Sequence, residues 1–187
     1  MKIKKQYLKI NQNIFKNKKV KINHNKNIKP SKDNIKSIFY SNIDKYKDLY
    51  TLDLFAGTGV ISFDLYFKKL KKHILIEKNK KNYTVIKKIK NIIVPNKDFN
   101  IHNTDSYLWI KNFIFLNISL IIIDPPYKIN NLNLYFIVLN QITFLKKYIL
   151  FFLETNKKII IKNNLLEYFL INKYQKGQTL CYLIKKI

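Results

Sequence analysis

Short runs of apolar residues, most of them β-branched or aromatic, recur along the chain, each with an acidic side chain at or next to its end. Leu49 to Leu54, Ile74 to Glu77, Asn117 to Asp124 and Tyr148 to Glu154 are such runs, and none alternates cleanly between apolar and polar positions. That is the pattern of strands covered on both faces. Intervals of about 12 to 20 residues separate them and carry apolar positions at helical spacing, as in Val60-Phe63-Leu65-Phe67 and Tyr83-Ile86-Ile89, with lysines on the outer side. Strands alternating with helices in this way predict a parallel sheet sandwiched between helices. A weaker run from Phe99 to Asn103 supplies the third strand. The chain then changes character: Tyr168 to Ile171, a break at Lys176-Gly177-Gln178, and Thr179 to Ile184 predict a hairpin with its turn near Gly177. The expectation is an α/β, Rossmann-like fold with a seven-stranded, mostly parallel sheet, an antiparallel last strand, a terminal hairpin that adds an antiparallel edge, and helices on both faces.

Ahead of this pattern, a patchy alternation from Tyr7 to Ile22 predicts a small β-element. After Pro30, Ser31 is a fair N-cap for an apolar period at Ile35, Ile38 and Phe39. A chain of 187 residues with 47% apolar content has enough material for one substantial core and too little for two. We therefore expect one unit over 1–187, with a basic extension over 1–40 and the core over 45–187. The basic first residues lead into polar Lys9, Asn11, Gln12 and Asn13 instead of an apolar segment, and no later stretch runs about 18 residues without charge. A cytoplasmic protein without membrane attachment is expected. The lone Cys181 excludes a disulfide framework, and His24, His73 and His102 lie too far apart in sequence to suggest a metal site.

The net charge is +25, from 36 basic and 11 acidic residues, and every basic residue is lysine. Phosphate is the natural partner, since each neutralised phosphate releases counterions. The abundance of Lys, Asn and Ile is equally what AT-rich codons produce, so the amount of charge carries less weight than the scarcity of acids. Asp53, Glu77, Asp105, Asp124 and Glu154 each follow a separate apolar run. Five of eleven acids at strand ends point to chemistry.

Asp53-Leu54-Phe55-Ala56-Gly57-Thr58-Gly59 places two of the three glycines in one loop directly after a buried run. Glycine suits a tight strand-to-helix turn where a ligand approaches the backbone. Phe55, Ala56, Gly57, Thr58 and Gly59 are therefore candidate cofactor-binding positions, with Asp53 at the carboxyl end of its strand facing the crevice where open α/β sheets take ligands. An ordinary strand-to-helix turn is the plainer alternative. A dinucleotide fingerprint wants a third glycine where Ser62 stands, and no Gly-Lys-Ser/Thr follows for a P-loop. The loop favours a nucleoside ligand other than NAD or ATP. Glu77, ending the second strand, stands where an acid accepts ribose hydroxyls, or is simply solvated. Asp105 is placed to accept from an adenine amino group, or to cap the next helix.

Asp124-Pro125-Pro126-Tyr127 closes the most apolar strand. Two prolines forbid its continuation and hold the following backbone rigid. A fixed carboxylate, carbonyls with no competing N–H and an aromatic ring converge there, which are the parts needed to methylate an aryl amine. Its lone pair is conjugated into the base, so Asp124 and the Pro125 carbonyl would orient the amine while positioning and electrostatics supply the rate. Tyr127 would stack on an extruded base. A rigid turn with a surface tyrosine is the bland alternative.

Taken together, Asp53-x-Phe-Ala-Gly-Thr-Gly59, Glu77 and Asp124-Pro-Pro-Tyr127 resemble the motifs of class I methyltransferases directed at amino groups. More narrowly the chain resembles the RsmD family, which methylates N2 of one guanine in bacterial 16S ribosomal RNA. Motif order, the Lys29-Pro30-Ser31 segment running to Ile35-Lys36, the Leu153-Glu154 strand end and the Gly177-Gln178 hairpin carry that resemblance over nearly the whole chain. Where the family has Arg-Pro-Thr and then Arg-Glu, this chain has Lys29, Lys36 and Ser37 at the charged positions, and lysine lacks the bidentate geometry of arginine. The resemblance implies S-adenosylmethionine as cofactor, no metal, and 16S ribosomal RNA within a partly assembled small subunit as partner of a monomeric enzyme. Lys29, Lys32 and Lys36 are the expected RNA contacts. The alternatives are an N6-adenine methyltransferase and a catalytically silent RNA-binding assembly factor on the same fold.

Overall fold

Residues 6–8, 20–22, 39–44, 46, 48–68, 72–93, 98–111, 118–126, 149–155, 168–176 and 178–186 are the ones described by the computed structural model. Near the start, β1 (Gln6–Leu8) and β2 (Val20–Ile22) pair antiparallel as a separate two-stranded sheet, within the alternating segment. A helix, α1, is described over residues 39–43. There follow β3 (Tyr50–Asp53), α2 (Val60–Phe67), β4 (Lys72–Ile76), α3 (Lys80–Ile93), β5 (Phe99–His102), α4 (Ser106–Lys111), β6 (Leu120–Ile123), β7 (Ile149–Thr155), β8 (Tyr168–Lys176) and β9 (Thr179–Lys186).

The main sheet has seven strands in the order β5-β4-β3-β6-β7-β9-β8. Strands β5, β4, β3, β6 and β7 are parallel, and β9 runs antiparallel to both neighbours. The last strand is thus reversed and the terminal hairpin forms one edge of the sheet, both as expected. Within the hairpin β9 inserts between β7 and β8, and β8, with a register shift between Leu170 and Asn172, is the outer strand. The chain builds outward from β3 through β4 to β5 and then returns to β6 on the other side of β3. That reversal makes the β3–β6 boundary the switch point of the sheet, where crevices open in α/β folds.

Alternation along each strand divides the core between two faces. On one face, Leu52, Ile76, Ile121, Phe151, Leu153 and Tyr182 pack with Ile110 of α4. On the other, Leu120, Ile122, Leu150, Phe152 and Leu183 pack under α1 and α2, while Leu75 and Phe99 meet Phe63 of α2 and Ile86 and Ile89 of α3. Helices therefore cover both faces. Phe39 of α1 sits 4.2 Å from Phe152 between ring centroids. Further contacts fasten α1 and the residue after it: Tyr40 donates to buried Asp64 of α2 at 2.9 Å, Asn42 bridges to Tyr174 and Asn172 of β8 at 2.8 Å each, and Lys68 pairs with Asp44. Among the described residues no helix is long and apolar enough to cross a membrane.

Candidate active site at the carboxyl edge

The turn after β3 is built from within. Asp53 is buried, and its two carboxylate oxygens accept the Phe55 N–H at 3.3 Å and the Ser62 hydroxyl at 2.9 Å. A carboxylate receiving donors from both the loop and the first turn of α2 fixes the angle between them. Position 62, which lacks the glycine of a dinucleotide fingerprint, is thus the anchor of Asp53. Gly57 and Gly59 both adopt positive φ, 58° and 77°, a region costly for other residues. They differ in surroundings. A Cβ on Gly59 would stand 2.8 Å from Phe63 Cε2, whereas among the described residues one on Gly57 would meet only the Phe55 carbonyl oxygen, at 3.9 Å. Gly59 closes the turn onto α2; Gly57 leaves its flank open to a ligand.

Glu77, just past β4, reaches back to that open position. Its Oε2 accepts the Gly57 N–H at 2.8 Å and its Oε1 the Asn79 N–H at 2.6 Å. Burial pushes its carboxyl pKa above the ordinary 4.5, and the hydrogen bonds from Asn79, Gly57 and the Asn82 side chain only partly oppose this. Asn79 caps α3 through the Lys81 and Asn82 amides, and Asn103 donates to the Glu77 and Lys78 carbonyls at 2.7 and 3.1 Å, tying the ends of β4 and β5 together. Asn79 carries a readable signal, an Asn just ahead of a helical period; Asn103 carries none.

Asp105 realises the capping alternative. It accepts the Tyr107 N–H at 2.9 Å and pairs with Lys78 at 3.0 Å. Burial raises its pKa, but the Lys78 side chain and the Tyr107 and Leu108 amides outweigh it and hold the carboxyl below its ordinary value. The Ser106 hydroxyl donates to the Leu54 carbonyl, so α4 also braces the glycine loop.

Across the switch point, Leu54 N–H donates to the Ile122 carbonyl at 3.1 Å. That bond sets the start of the glycine loop beside the end of β6, where Asp124 is half-buried, Pro125 buried and Pro126 exposed. The structure therefore brings Asp53, Phe55, Ala56, Gly57, Thr58, Gly59, Glu77, Asp105, Asp124, Pro125 and Pro126 to the carboxyl edges of β3, β4, β5 and β6. Tyr127, Gly177 and the lysines at 29, 32 and 36 lie outside the described residues. Among the described residues no three His, Cys, Asp or Glu side chains gather as metal ligands.

A nucleoside-type ligand fits this edge. The flank of Gly57 is open, the neighbouring carboxylate has about four acceptor sites to share, and Lys78, Lys80 and Lys81 stand exposed nearby.

Comparison with known proteins agrees in extent with this architecture. A family model described as conserved hypothetical protein 95 matches residues 8–185. The chain is 29% identical over 177 residues to the ribosomal RNA small subunit methyltransferase D of Buchnera aphidicola subsp. Acyrthosiphon pisum, covering 90% of this chain and 88% of that protein. Its fold is similar to that of yhhF from Escherichia coli, with a TM-score of 0.78 and 16% identity over 97% of this chain and 98% of that one. It is also similar to TYW2 of P. horikoshii in complex with MeSAdo, with a TM-score of 0.64 and 16% identity over 89% of this chain and 67% of that one.

Proposed function

This chain belongs to the conserved hypothetical protein 95 family, and on that premise we propose that it transfers a methyl group from S-adenosylmethionine to the exocyclic N2 amine of a guanine in 16S ribosomal RNA. The RsmD resemblance drawn from the motifs is borne out by the Buchnera relative and its name. The observation that carries the reading is the adjacency at the switch point: the Leu54–Ile122 bond sets a ligand-accessible glycine loop beside a proline-stiffened carboxylate. A methyl donor on one side and an amine on the other would meet there.

Bound S-adenosylmethionine supplies an electrophilic methyl group. The residues that hold it are Phe55, Ala56, Gly57, Thr58 and Gly59 of the loop, with Asp53 fixing the loop, Glu77 accepting from the ribose and Asp105 at the adenine end. The similar fold of TYW2 in complex with MeSAdo supports a cofactor of this class. Asp124 and the Pro125 carbonyl orient the guanine amine, Pro126 stiffens the turn and Tyr127 stacks on the extruded base. Residues 1–187 act as one monomeric, cytoplasmic unit whose basic segment, with Lys29, Lys32 and Lys36, grips RNA in a partly assembled small subunit. The fastening of α1 to α2 and β8 supports this, because it fixes where that segment joins the core. Labelled methyl transfer to small-subunit RNA and to partly assembled subunits, followed by mass spectrometry of nucleosides, tests the reading. N2-methylguanosine is expected; N6-methyladenosine, or no transfer despite cofactor binding, overturns it.

A further inference from the structure

Glu154 takes no part in the chemistry so far described. It lies one step beyond Leu153, which pairs with Ile123 in the parallel β6–β7 ladder. Asp124 lies one step beyond Ile123, so the two carboxylates occupy neighbouring positions at the carboxyl edge of adjacent strands, whose spacing is about 5 Å. Alternation assigns them to one face: Leu120 and Ile122 of β6 and Leu150 and Phe152 of β7 all pack beneath α1, and Asp124 and Glu154 continue those two series. Cys181 of the same cluster stands opposite Glu154 in the β7–β9 ladder. Burial raises its thiol far above the ordinary range, and the charges of Glu154 and Asp124, together with a side-chain hydrogen bond to Glu154, push the same way. Glu154 is 6% exposed.

Two neighbouring carboxylates on one face present a row of acceptor sites. A base edge carrying protons on two neighbouring nitrogens is complementary to such a row. Guanine has such an edge, with N1–H beside the N2 amine. Adenine sets its amine beside an unprotonated N1, whose lone pair would face a carboxylate. We propose that Glu154 is a specificity-determining residue that accepts the guanine N1–H while Asp124 orients the N2 amine, so that the acid pair selects guanine over adenine. The inference rests on the guanine-N2 reading above and adds how the base is chosen. With about four acceptor sites, the carboxylate can serve Cys181 and a base together.

The discriminating substrate is 2-aminopurine, which keeps the 2-amine but has an unprotonated N1. Small-subunit RNA is ligated to carry either guanine or 2-aminopurine at the position that the wild-type protein methylates, and kcat/KM is measured for each in the same RNA or particle. Wild type is expected to favour guanine by on the order of tenfold to a hundredfold, the scale of a hydrogen bond to a charged group. Glu154→Gln, whose amide donates to an unprotonated N1, should bring the ratio of the two bases near one while leaving S-adenosylmethionine affinity unchanged. Glu154→Asp, which keeps the charge but withdraws it by one methylene, should lower the same ratio and serves if the glutamine variant does not fold. A folded variant with the wild-type ratio overturns the assignment, and so does wild-type protein using both bases equally. Production of N2-methylguanosine with either of those results sinks this inference alone; no N2-methylguanosine at all sinks the guanine reading and takes the inference with it.

Discussion

The Glu77 carboxylate accepts the backbone N–H of Gly57 at 2.8 Å, so the end of β4 and the glycine loop after β3 form one hydrogen-bonded unit. Glu77 is buried enough for its pKa to lie above 4.5. A ribose hydroxyl donating to it favours the ionised form, so the pKa falls on binding. Cofactor affinity should therefore weaken as pH drops through the raised free-state value, and binding near that pH should release protons. Folding runs the other way. The ligand-free fold favours protonated Glu77, so its contribution to stability is present below about 4.5 and is lost as pH rises through the folded value. Calorimetry in buffers of different ionisation enthalpy should detect proton release in wild type and none in Glu77→Gln; equal release in both would remove Glu77 from the cofactor site.

The two loop glycines should fail in different ways. Gly59→Ala incurs about 1–2 kcal/mol for its left-handed backbone and roughly 1–3 kcal/mol more for crowding against Phe63, so its melting temperature should fall well below that of Gly57→Ala. Gly57→Ala incurs only the backbone cost but obstructs the open flank, so its defect should be largest in calorimetric cofactor binding. Equal melting temperatures for the two variants would contradict the contact geometry at Gly59.

Asp124 follows β6 on one side of the switch point, and the proposed cofactor positions follow β3, β4 and β5 on the other. Asp124→Ala should keep near-normal S-adenosylmethionine affinity while methyl transfer falls by about two to four orders of magnitude, the scale of losing a preorganised polar contact together with substrate positioning. Tyr127→Phe should be nearly neutral and Tyr127→Ala should weaken productive base binding, by roughly 1–3 kcal/mol. Single-turnover transfer beside equilibrium cofactor binding separates the two effects. Loss of cofactor affinity in Asp124→Ala would place that carboxylate on the wrong ligand.

Replacing Lys29, Lys32 and Lys36 by glutamine should flatten the salt dependence of RNA binding. With several phosphate contacts, affinity in the wild type should drop on the order of a thousandfold between low and moderately raised salt. Filter binding across a salt series gives the slope directly, with cofactor affinity as the control. An unaltered slope would assign those lysines to codon bias on a solvated surface.

What is legible in the sequence is what short-range pattern encodes. Buried strands announce themselves as unbroken apolar runs, and their ends are where an acidic side chain first interrupts the run, so Asp53, Glu77 and Asp124 stand out from the order of the letters alone. Ser62 does not, because its value lies in α2 folding back over Asp53, and as a letter it registers only as an absent glycine. The Asn42–Tyr174 bond spans 132 residues, and no local periodicity records such a contact. The inward place of β9 within the hairpin escapes local pattern for the same reason. A hairpin signal says that two strands pair, not which of them turns inward.

That placement has a genetic consequence. Leu180, Tyr182 and Ile184 belong to one half of the core and Cys181 and Leu183 to the other, so a stop codon anywhere ahead of Thr179 removes apolar mass from both faces at once. It also strips the ladder partner from β7 and leaves a long apolar edge open to pairing with other chains. Frameshifts in the codons for the β8–β9 hairpin should thus behave like early ones, yielding insoluble product instead of a shortened enzyme with partial activity.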